Sequence, residues 1–364
     1  MSDRNARLAG RRRVLATGRA GSRVVGVVVG LLAAAALAAC GGGPAVTPTT
    51  MAPAGTPDPS AAATTPAAPT PGPGPVTGIT ATTLAVRLPA PASRVVALPV
   101  GHRLLLLGGL VAGTTSAQVL TLDPAGGTVA ASGRLPHATH DAGGAVLGGA
   151  ALVLGGGVQA SADWVQSVPV AGGAGTVVGR LPQPRSDHVV ASDGTTAYVV
   201  GGYATGAELT DVLATTDGVT FHVVAHLVTG VRYAAAALVG GALWVVGGEH
   251  GGTQVDTVQR VDLATGAAAV VGHLPAPLSH ATATVLDGTL LVVGGLSRGA
   301  HLDAIERIDA TGAPALVGHL PAAASDVAVA VLGDAAYAVG GEGGTGHPLA
   351  TVVRLTSGPA SPAP

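Results

Sequence analysis

Six polar positions recur along the chain at a fixed distance from pairs of glycine residues. Each position lies 14 residues before the first glycine of a pair that closes an apolar run. We call them the ring positions, and they are Arg94, Asp141, Asp187, Tyr233, His280 and Asp326. Such side chains could together bind a small polar or cationic ligand, and the carboxylate oxygens of Asp141, Asp187 and Asp326 also suit Ca²⁺.

The glycine pairs belong to a repeat of 46 or 47 residues that occurs six times. In each unit a basic residue and a Leu precede the glycine pair, and the Leu lies 20 residues before its first glycine in all six cases. Two markers with this constant separation indicate a repeat array. The basic residue is Arg in the first three units and His in the last three, so His226, His273 and His319 are expected to be structural equivalents of Arg rather than metal ligands.

Each unit reads as four antiparallel strands. In the third unit, residues 186–192 and 195–202 have strand character and flank Asp193-Gly194, a two-residue hairpin turn. Residues 209–216 and 219–227 supply the third and fourth strands around a second Asp-Gly turn. Four strands in a period of this length predict one blade of a β-propeller.

The units resemble Kelch repeats. The resemblance rests on the apolar run ending in Gly-Gly, on the loop after it, and on a third strand closed by Asp, as at Asp123, Asp262 and Asp309. It covers about residues 78–357. The chain departs from the Kelch pattern where that pattern has Tyr in the third strand and Trp in the fourth, because Leu, Val and Ala stand there instead.

The two ends of the array indicate how the ring closes. The sixth unit stops after a third strand, residues 350–356, and a short tail at 358–364 follows that we expect to be disordered. Residues 78–89 match a fourth strand but have no first three strands before them. We therefore expect an all-β, six-bladed Kelch-type propeller over residues 78–357, closed by an N-terminal strand that completes the last blade.

A propeller of this kind places the ring positions and the loops after the glycine pairs on one face of the central channel. These loops add Glu249 and Glu342 to the candidate ligand-binding residues. The loops also carry Tyr203, Glu208, His250, Arg298 and His301. Serine recurs directly before four of the ring positions, which indicates a structural role for that serine. For the ring positions the alternative also stays open, because polar residues at a channel mouth often bind water and bridge blades.

Residues 1–39 predict export. Seven Arg precede an uncharged run at 24–39, and the sequence Leu-Ala-Ala-Cys at 37–40 resembles a bacterial lipoprotein signal. That resemblance implies cleavage before Cys40, a lipid on its thiol, and a place on the extracytoplasmic face of the membrane. An ordinary signal peptide or an uncleaved anchor is the alternative, and the export route, Sec or Tat, stays open. Residues 41–77 contain ten Pro, which predicts a disordered tether.

Composition excludes several classes of chemistry. The net charge of −2 includes the leader, and removing residues 1–39 leaves 11 Arg against 19 acidic residues, about −8. An acidic mature chain argues against nucleic acid as a partner. Cys40 is the only cysteine, so an internal disulfide or a zinc-thiolate site is impossible, and the absence of Lys excludes Schiff-base catalysis. No cofactor is expected apart from the Ca²⁺ considered above.

Two classes of function remain. The first is a lipid-anchored binding scaffold for an envelope protein, a glycan or a small polar ligand. The second is a carbohydrate-active enzyme, which a resemblance to six-bladed bacterial Kelch sugar mutarotases implies. Tyr203, Tyr233 and Trp164 are the aromatic residues expected near the candidate face. We favour binding and assign no catalytic residue, because the sequence reveals no nucleophile with a paired base and no acid–base pair.

Overall fold

The computed structural model describes residues 76–358, and every regular element in this range is a β-strand. The expected leader, Cys40 and nearly all of the expected tether and tail lie outside the described residues. Within residues 76–358 there is no helix long and apolar enough to cross a membrane.

The strands form six four-stranded antiparallel sheets, blades 1 to 6, arranged around a channel. The first strands of neighbouring blades contact one another in a closed circle, so they line the channel. From the channel outwards, the strands are Val96–Val100, Arg103–Leu107, Gln118–Asp123 and Thr128–Arg134 in blade 1; Gly143–Leu147, Ala150–Leu154, Ala162–Pro169 and Thr176–Arg185 in blade 2; Val189–Ser192, Ala197–Val200, Asp211–Thr215 and His222–His226 in blade 3; Ala235–Val239, Ala242–Val246, Thr257–Asp262 and Ala268–His273 in blade 4; Thr282–Leu286, Thr289–Val293, Ala304–Ile308 and Pro314–His319 in blade 5; and Ala328–Leu332, Ala335–Val339, Leu349–Gly358 and Gly78–Ser93 in blade 6.

The six-bladed fold predicted from the repeats is therefore confirmed, and so is its closure. Gly78–Ser93 pairs antiparallel with Leu349–Gly358, in a register that runs from Gly78 opposite Gly358 to Thr83 opposite Val353. The first segment of the ring thus supplies the outermost strand of the last blade, which leaves no unpaired edge on Leu349–Gly358.

Short two-residue strands add a hairpin over the channel mouth in most blades. They pair Leu110–Val111 with Thr114–Thr115, Tyr203–Ala204 with Ala207–Glu208, Glu249–His250 with Thr253–Gln254, Leu296–Ser297 with Ala300–His301, and, in blade 6, Ala324–Ser325 with Glu342–Gly343. Blade 2 has only the short loop 157–161 between its second and third strands. A further short strand, Gly173–Ala174, pairs in parallel with the outer strand of blade 1.

The glycine pairs join each blade to the next. In all six pairs the N–H of the second glycine donates to a carbonyl in the segment that leads from the fourth strand of its blade to the next blade, always two residues before the next ring position; across the closure, Gly341 donates to Ala92 at 2.9 Å. A Cβ on Gly340 would stand 2.2 Å from that Ala92 oxygen, and φ of Gly340 is 63°. Only glycine permits both the close approach and the left-handed backbone, so the repeated pair is a requirement of blade packing.

The other sequence markers also serve the fold. The Leu that follows each basic residue is buried between blades, as for Leu135 at 1 % exposure, and burying such a side chain stabilises the fold by roughly 2 kcal/mol. The basic residue itself is exposed, and in blades 2 to 5 it pairs with an Asp of the same blade, as in Arg180–Asp163 at 2.6 Å and His273–Asp256 at 3.0 Å. The expectation that these His and Arg residues are structural equivalents agrees with this geometry.

Candidate functional site

The six ring positions converge at one mouth of the channel, where they line a cavity of about 150 Å³ that we call the neck. Each lies in the loop before the first strand of its blade, and each has a left-handed backbone with φ between 52° and 59°. Aspartate tolerates this conformation, whereas it is uncommon for Tyr and Arg. Because all six blades adopt it, the conformation is a property of the repeat and not of a single residue.

Backbone hydrogen bonds connect the ring positions around the mouth. In five of the six, the N–H donates to the carbonyl oxygen of the ring position in the preceding blade. These bonds are Asp187 to Asp141 at 3.0 Å, Tyr233 to Asp187 at 2.8 Å, His280 to Tyr233 at 2.9 Å, Asp326 to His280 at 2.9 Å, and Arg94 to Asp326 at 3.1 Å. Between blades 1 and 2 a side chain makes the connection instead, because Arg94 Nη1 donates to Asp141 Oδ2 at 3.0 Å. The ring therefore has a rigid backbone support.

Arg94 pairs with three carboxylates at the neck. Besides its bond to Asp141, its Nε lies 3.6 Å from Asp326 Oδ1 and 3.4 Å from Glu342 Oε1. Burial opposes the charge of the guanidinium, but the three carboxylates together hold the pKa of Arg94 above its usual value. Asp141, Asp326 and Glu342 are therefore engaged by Arg94 within the neck.

His280 forms a second charged pair. Its Nδ1 lies 2.8 Å from Asp326 Oδ1, its Nε2 lies 3.7 Å from Glu249 Oε1, and its ring stacks on Tyr233 at a centroid distance of 3.9 Å. Burial works against the charged forms of both partners. The hydrogen bond nevertheless raises the pKa of His280 and lowers the pKa of Asp326, so the pair is stabilised as an ion pair.

Asp187 differs from the other acidic residues of the mouth. Among the described residues, no Arg or His nitrogen lies within 4.0 Å of its carboxylate. Burial, and next the negative charge of Asp141, raise the pKa of Asp187 to about 6. A hydrogen bond from the Tyr233 hydroxyl and the charges of Arg232 and Arg94 act in the opposite direction but offset this only in part, so the carboxylate of Asp187 has a hydrogen-bond donor beside it but no close ion-pair partner.

A larger cavity of about 600 Å³, which we call the bowl, adjoins the neck over blades 2 to 4. Four ring positions line both cavities, namely Arg94, Asp141, Asp187 and Tyr233. The loop 157–161 of blade 2 forms part of the wall of the bowl. Its wall also contains His140, Ser161, Ser186, Tyr203 and Arg232. The mouth therefore contains a polar cavity beside the neck.

Arg232 is a wall residue that sequence reasoning did not include in the site. Its Nη2 lies 3.0 Å from Glu249 Oε2, and its guanidinium carbon lies 5.0 Å from the ring centroid of Tyr203 and 5.2 Å from that of Tyr233. A signal for it exists in the sequence. The position before the ring is Ser in four blades, and it is His140 in blade 2 and Arg232 in blade 4, the two exceptions that line the bowl.

The remaining candidates fall into two groups. Glu249 and Glu342 lie at the mouth, where they pair with Arg232 and Arg94 as described above. His250 Nδ1 instead contacts the carbonyl oxygen of Gly230 at 2.8 Å, Arg298 is exposed, and Trp164 stacks on His137 at 3.9 Å. These three residues, like His301, line neither the neck nor the bowl.

The three aspartates are not arranged as a metal site. Within residues 76–358 no group of three or more His, Cys, Asp or Glu side chains is placed to hold a metal ion. Arg94 pairs with both Asp141 and Asp326, whereas Asp187 stands apart from that pairing. Arg94 therefore neutralises two of the three carboxylates that the sequence offers as Ca²⁺ ligands, and Ca²⁺ binding at the ring stays a prediction.

Two buried residues beside the neck are surprising from the sequence. Arg185 is fully buried, donates from Nη1 to the carbonyl oxygen of Gly201 at 3.1 Å, and lies 3.7 Å from Asp211. Its burial lowers its own pKa, and burial together with the Arg185 charge lowers the pKa of His188 to about 3. His188 is therefore neutral. The other blades have Ala, Thr, Val or Leu at the position of Arg185, so the repeat pattern predicts an apolar residue there.

Comparisons with known proteins identify the fold. No family model matches the chain, and no curated protein sequence matches it. In structure, 499 chains of solved structures match. One of them, "Structure of YjhT", is a Kelch-type propeller with 16 % sequence identity and a TM-score of 0.65, over 75 % of this chain and 97 % of that chain. At this identity the match supports a Kelch-like β-propeller and carries no function across.

Proposed function

We propose that the protein is a membrane-anchored, extracytoplasmic binding propeller whose bowl takes a small polar ligand or the end of a glycan. The observation that carries this proposal is the contrast between a repeating frame and a varied lining. Glycine pairs, buried Leu and backbone bonds recur in every blade, whereas the side chains around the bowl differ from blade to blade. Pockets with convergent polar groups on a rigid frame are typical of ligand sites.

A ligand screen by thermal unfolding tests this function. The detergent-solubilised full chain is mixed with a panel of sugars, polyols, amines and amino acids. A ligand at about 100 times its Kd is expected to stabilise the folded state by about 2.7 kcal/mol. The shift should be lost in Tyr203→Ala, which removes a bowl wall, and kept in Arg180→Ala, which alters an exposed ion pair of blade 2. Binding that survives Tyr203→Ala undiminished places the ligand elsewhere and contradicts the proposal.

A carbohydrate-active enzyme of the sugar mutarotase type is the second candidate function. One observation favours it: His280 and Asp326 form a hydrogen-bonded acid–base pair at the neck, with 2.8 Å between Nδ1 and Oδ1. General acid–base catalysis of anomerisation requires groups of this kind within reach of the sugar. Polarimetry on freshly dissolved sugars of the panel, with the parent and with His280→Gln, separates this candidate from simple binding.

The membrane anchor is part of the proposed function and rests on the lipoprotein-like leader. Cys40→Ser is expected to move the protein from the membrane fraction to the soluble fraction, or to leave it as an uncleaved precursor, because the thiol that would carry the lipid is gone. Fractionation and the mass of the N-terminal peptide measure both outcomes. A processed Cys40→Ser protein that still sediments with membranes would contradict the lipid anchor.

A further inference from the structure

We propose that Asp187 recognises an ammonium group, so that the ligand of the bowl is a small hydroxylated amine. This inference rests on the proposed function, since it names the class of ligand that the same cavity takes. It starts from the ion pairs of the mouth. Five of the six acidic residues there have a basic nitrogen within 4.0 Å, and the exception among the described residues is Asp187.

The two arginines of the bowl are already engaged by other acids. Arg94 lies between Asp141, Asp326 and Glu342, and Arg232 pairs with Glu249 at 3.0 Å and approaches Glu208 at 4.0 Å. Neither guanidinium comes within 4.0 Å of the Asp187 carboxylate. A cation that enters the bowl therefore meets one carboxylate that the protein itself leaves without a counter-charge.

The charge balance of the mouth favours the same sign of ligand. Six carboxylates surround the neck and the bowl, against the two guanidinium groups and the imidazole of His280. An anionic ligand would have to approach through this negative field, whereas a cation would be attracted to it. Burial and the nearby charge of Asp141 make ionised Asp187 costly, and a bound ammonium would relieve that cost.

The surroundings of Asp187 indicate hydroxyl groups on the remainder of the ligand. Ser161 and Ser186 share a hydrogen bond at 3.0 Å on the bowl wall, and His140 is held by Thr115 at 3.0 Å between Nδ1 and Oγ1. The hydroxyl of Tyr203 belongs to the same wall. These groups both donate and accept hydrogen bonds, which suits alcohols. A cavity of about 600 Å³ accommodates a molecule of sugar size.

Matched pairs of probes test the proposal on the detergent-solubilised full chain. The pairs are glucosamine with glucose and ethanolamine with ethylene glycol, each differing by one amino group in place of a hydroxyl. Calorimetry at pH 7 is expected to give a Kd at least about tenfold lower for an amine than for its hydroxyl counterpart, because a charge-assisted hydrogen bond is the difference. Asp187→Asn should abolish this preference, and Asp163→Asn, an acid of the outer part of blade 2, should keep it.

The remaining possible results distinguish a failure of the ammonium proposal from a failure of the proposed function. If glucose binds as tightly as glucosamine and both are lost in Tyr203→Ala, the ammonium proposal is overturned and the proposed function stands. A preference for amines that persists in Asp187→Asn also overturns it, because another group then makes the contact. If neither amine binds more tightly than its hydroxyl counterpart, the ammonium proposal is overturned. The ligand screen with the wider panel then tests the proposed function by itself.

Discussion

A chain that lacks residues 76–86 is expected to lose the cooperative fold of the whole propeller. The deletion removes the part of Gly78–Ser93 that pairs with Leu349–Gly358, from Gly78 to Thr83. It also removes Ile79, which is 5 % exposed and packs with Val317 and Leu355 between blades 5 and 6. Several ladder hydrogen bonds at roughly 1 kcal/mol each and a buried Ile together rival the 5–15 kcal/mol that stabilises a typical domain.

Circular dichroism and thermal unfolding measure this result. A deletion of equal length at 60–70, inside the Pro-rich segment, is the matched control and should melt like the parent. The single substitution Ile79→Ala should lower the free energy of unfolding by about 2–4 kcal/mol, whereas Thr82→Ala, an exposed position of the same strand, should change it by less than about 0.5 kcal/mol. An unchanged melting temperature for the 76–86 deletion would show that the observed closure is not needed for stability.

The fold could be predicted from the sequence because its markers are the groups that hold blades together. The second glycine of each pair donates a hydrogen bond to the segment that leads into the next blade, and the Leu after each basic residue fills the space between blades. Because these contacts recur in every blade, the residues that make them recur at the same interval in the sequence. The convergence of the ring positions follows from the same period, since equivalent residues of a closed ring face one channel.

The pairing within the mouth could not be predicted, because it depends on side-chain reach across blades. The sequence suggests three equivalent carboxylates at Asp141, Asp187 and Asp326, yet Arg94 forms ion pairs with the first and the last and forms none with Asp187. The burial of Arg185 likewise depends on the neighbouring Gly201 and Asp211, whose proximity no repeat pattern encodes. Each side-chain pairing depends on the individual residues that meet at that place, whereas the strands follow the repeat.

The unequal pairing leads to opposite effects of the same substitution on stability. Asp326→Asn is expected to lower the free energy of unfolding by about 3 kcal/mol or more at pH 7, because it takes away the nearest counter-charge of the buried His280 and one of the three carboxylates around Arg94. Asp187→Asn is expected to raise it by about 1 kcal/mol, since it removes a half-buried carboxylate that has no ion-pair partner within 4.0 Å and that Asp141 repels, while the Asn side chain can still accept a hydrogen bond from Tyr233; the figure is reduced for solvent screening at the open mouth.

The pH dependence of the two effects also differs in sign. The pKa of Asp187 is raised in the folded state from 3.8 to about 6, so its destabilising contribution is absent below pH 4, grows between pH 4 and 6, and is complete above pH 6. The pKa of Asp326 is lowered on folding, so its stabilising contribution is present above its unfolded pKa and is lost only as the pH falls further. At pH 4, therefore, the gain from Asp187→Asn should nearly vanish while most of the loss from Asp326→Asn persists.

Urea unfolding of the parent and both variants at pH 7 and pH 4 measures these differences, with Asp163→Asn as a control for a surface acid. Its exposed pair with Arg180 should contribute less than about 1 kcal/mol at either pH. Equal destabilisation by Asp187→Asn and Asp326→Asn would mean that Asp187 also holds the blades together. Asp187 would then be a structural residue and not a carboxylate available to a ligand. Changes of opposite sign in the free energy of unfolding at pH 7 would instead show that Asp326 stabilises the neck and that Asp187 does not.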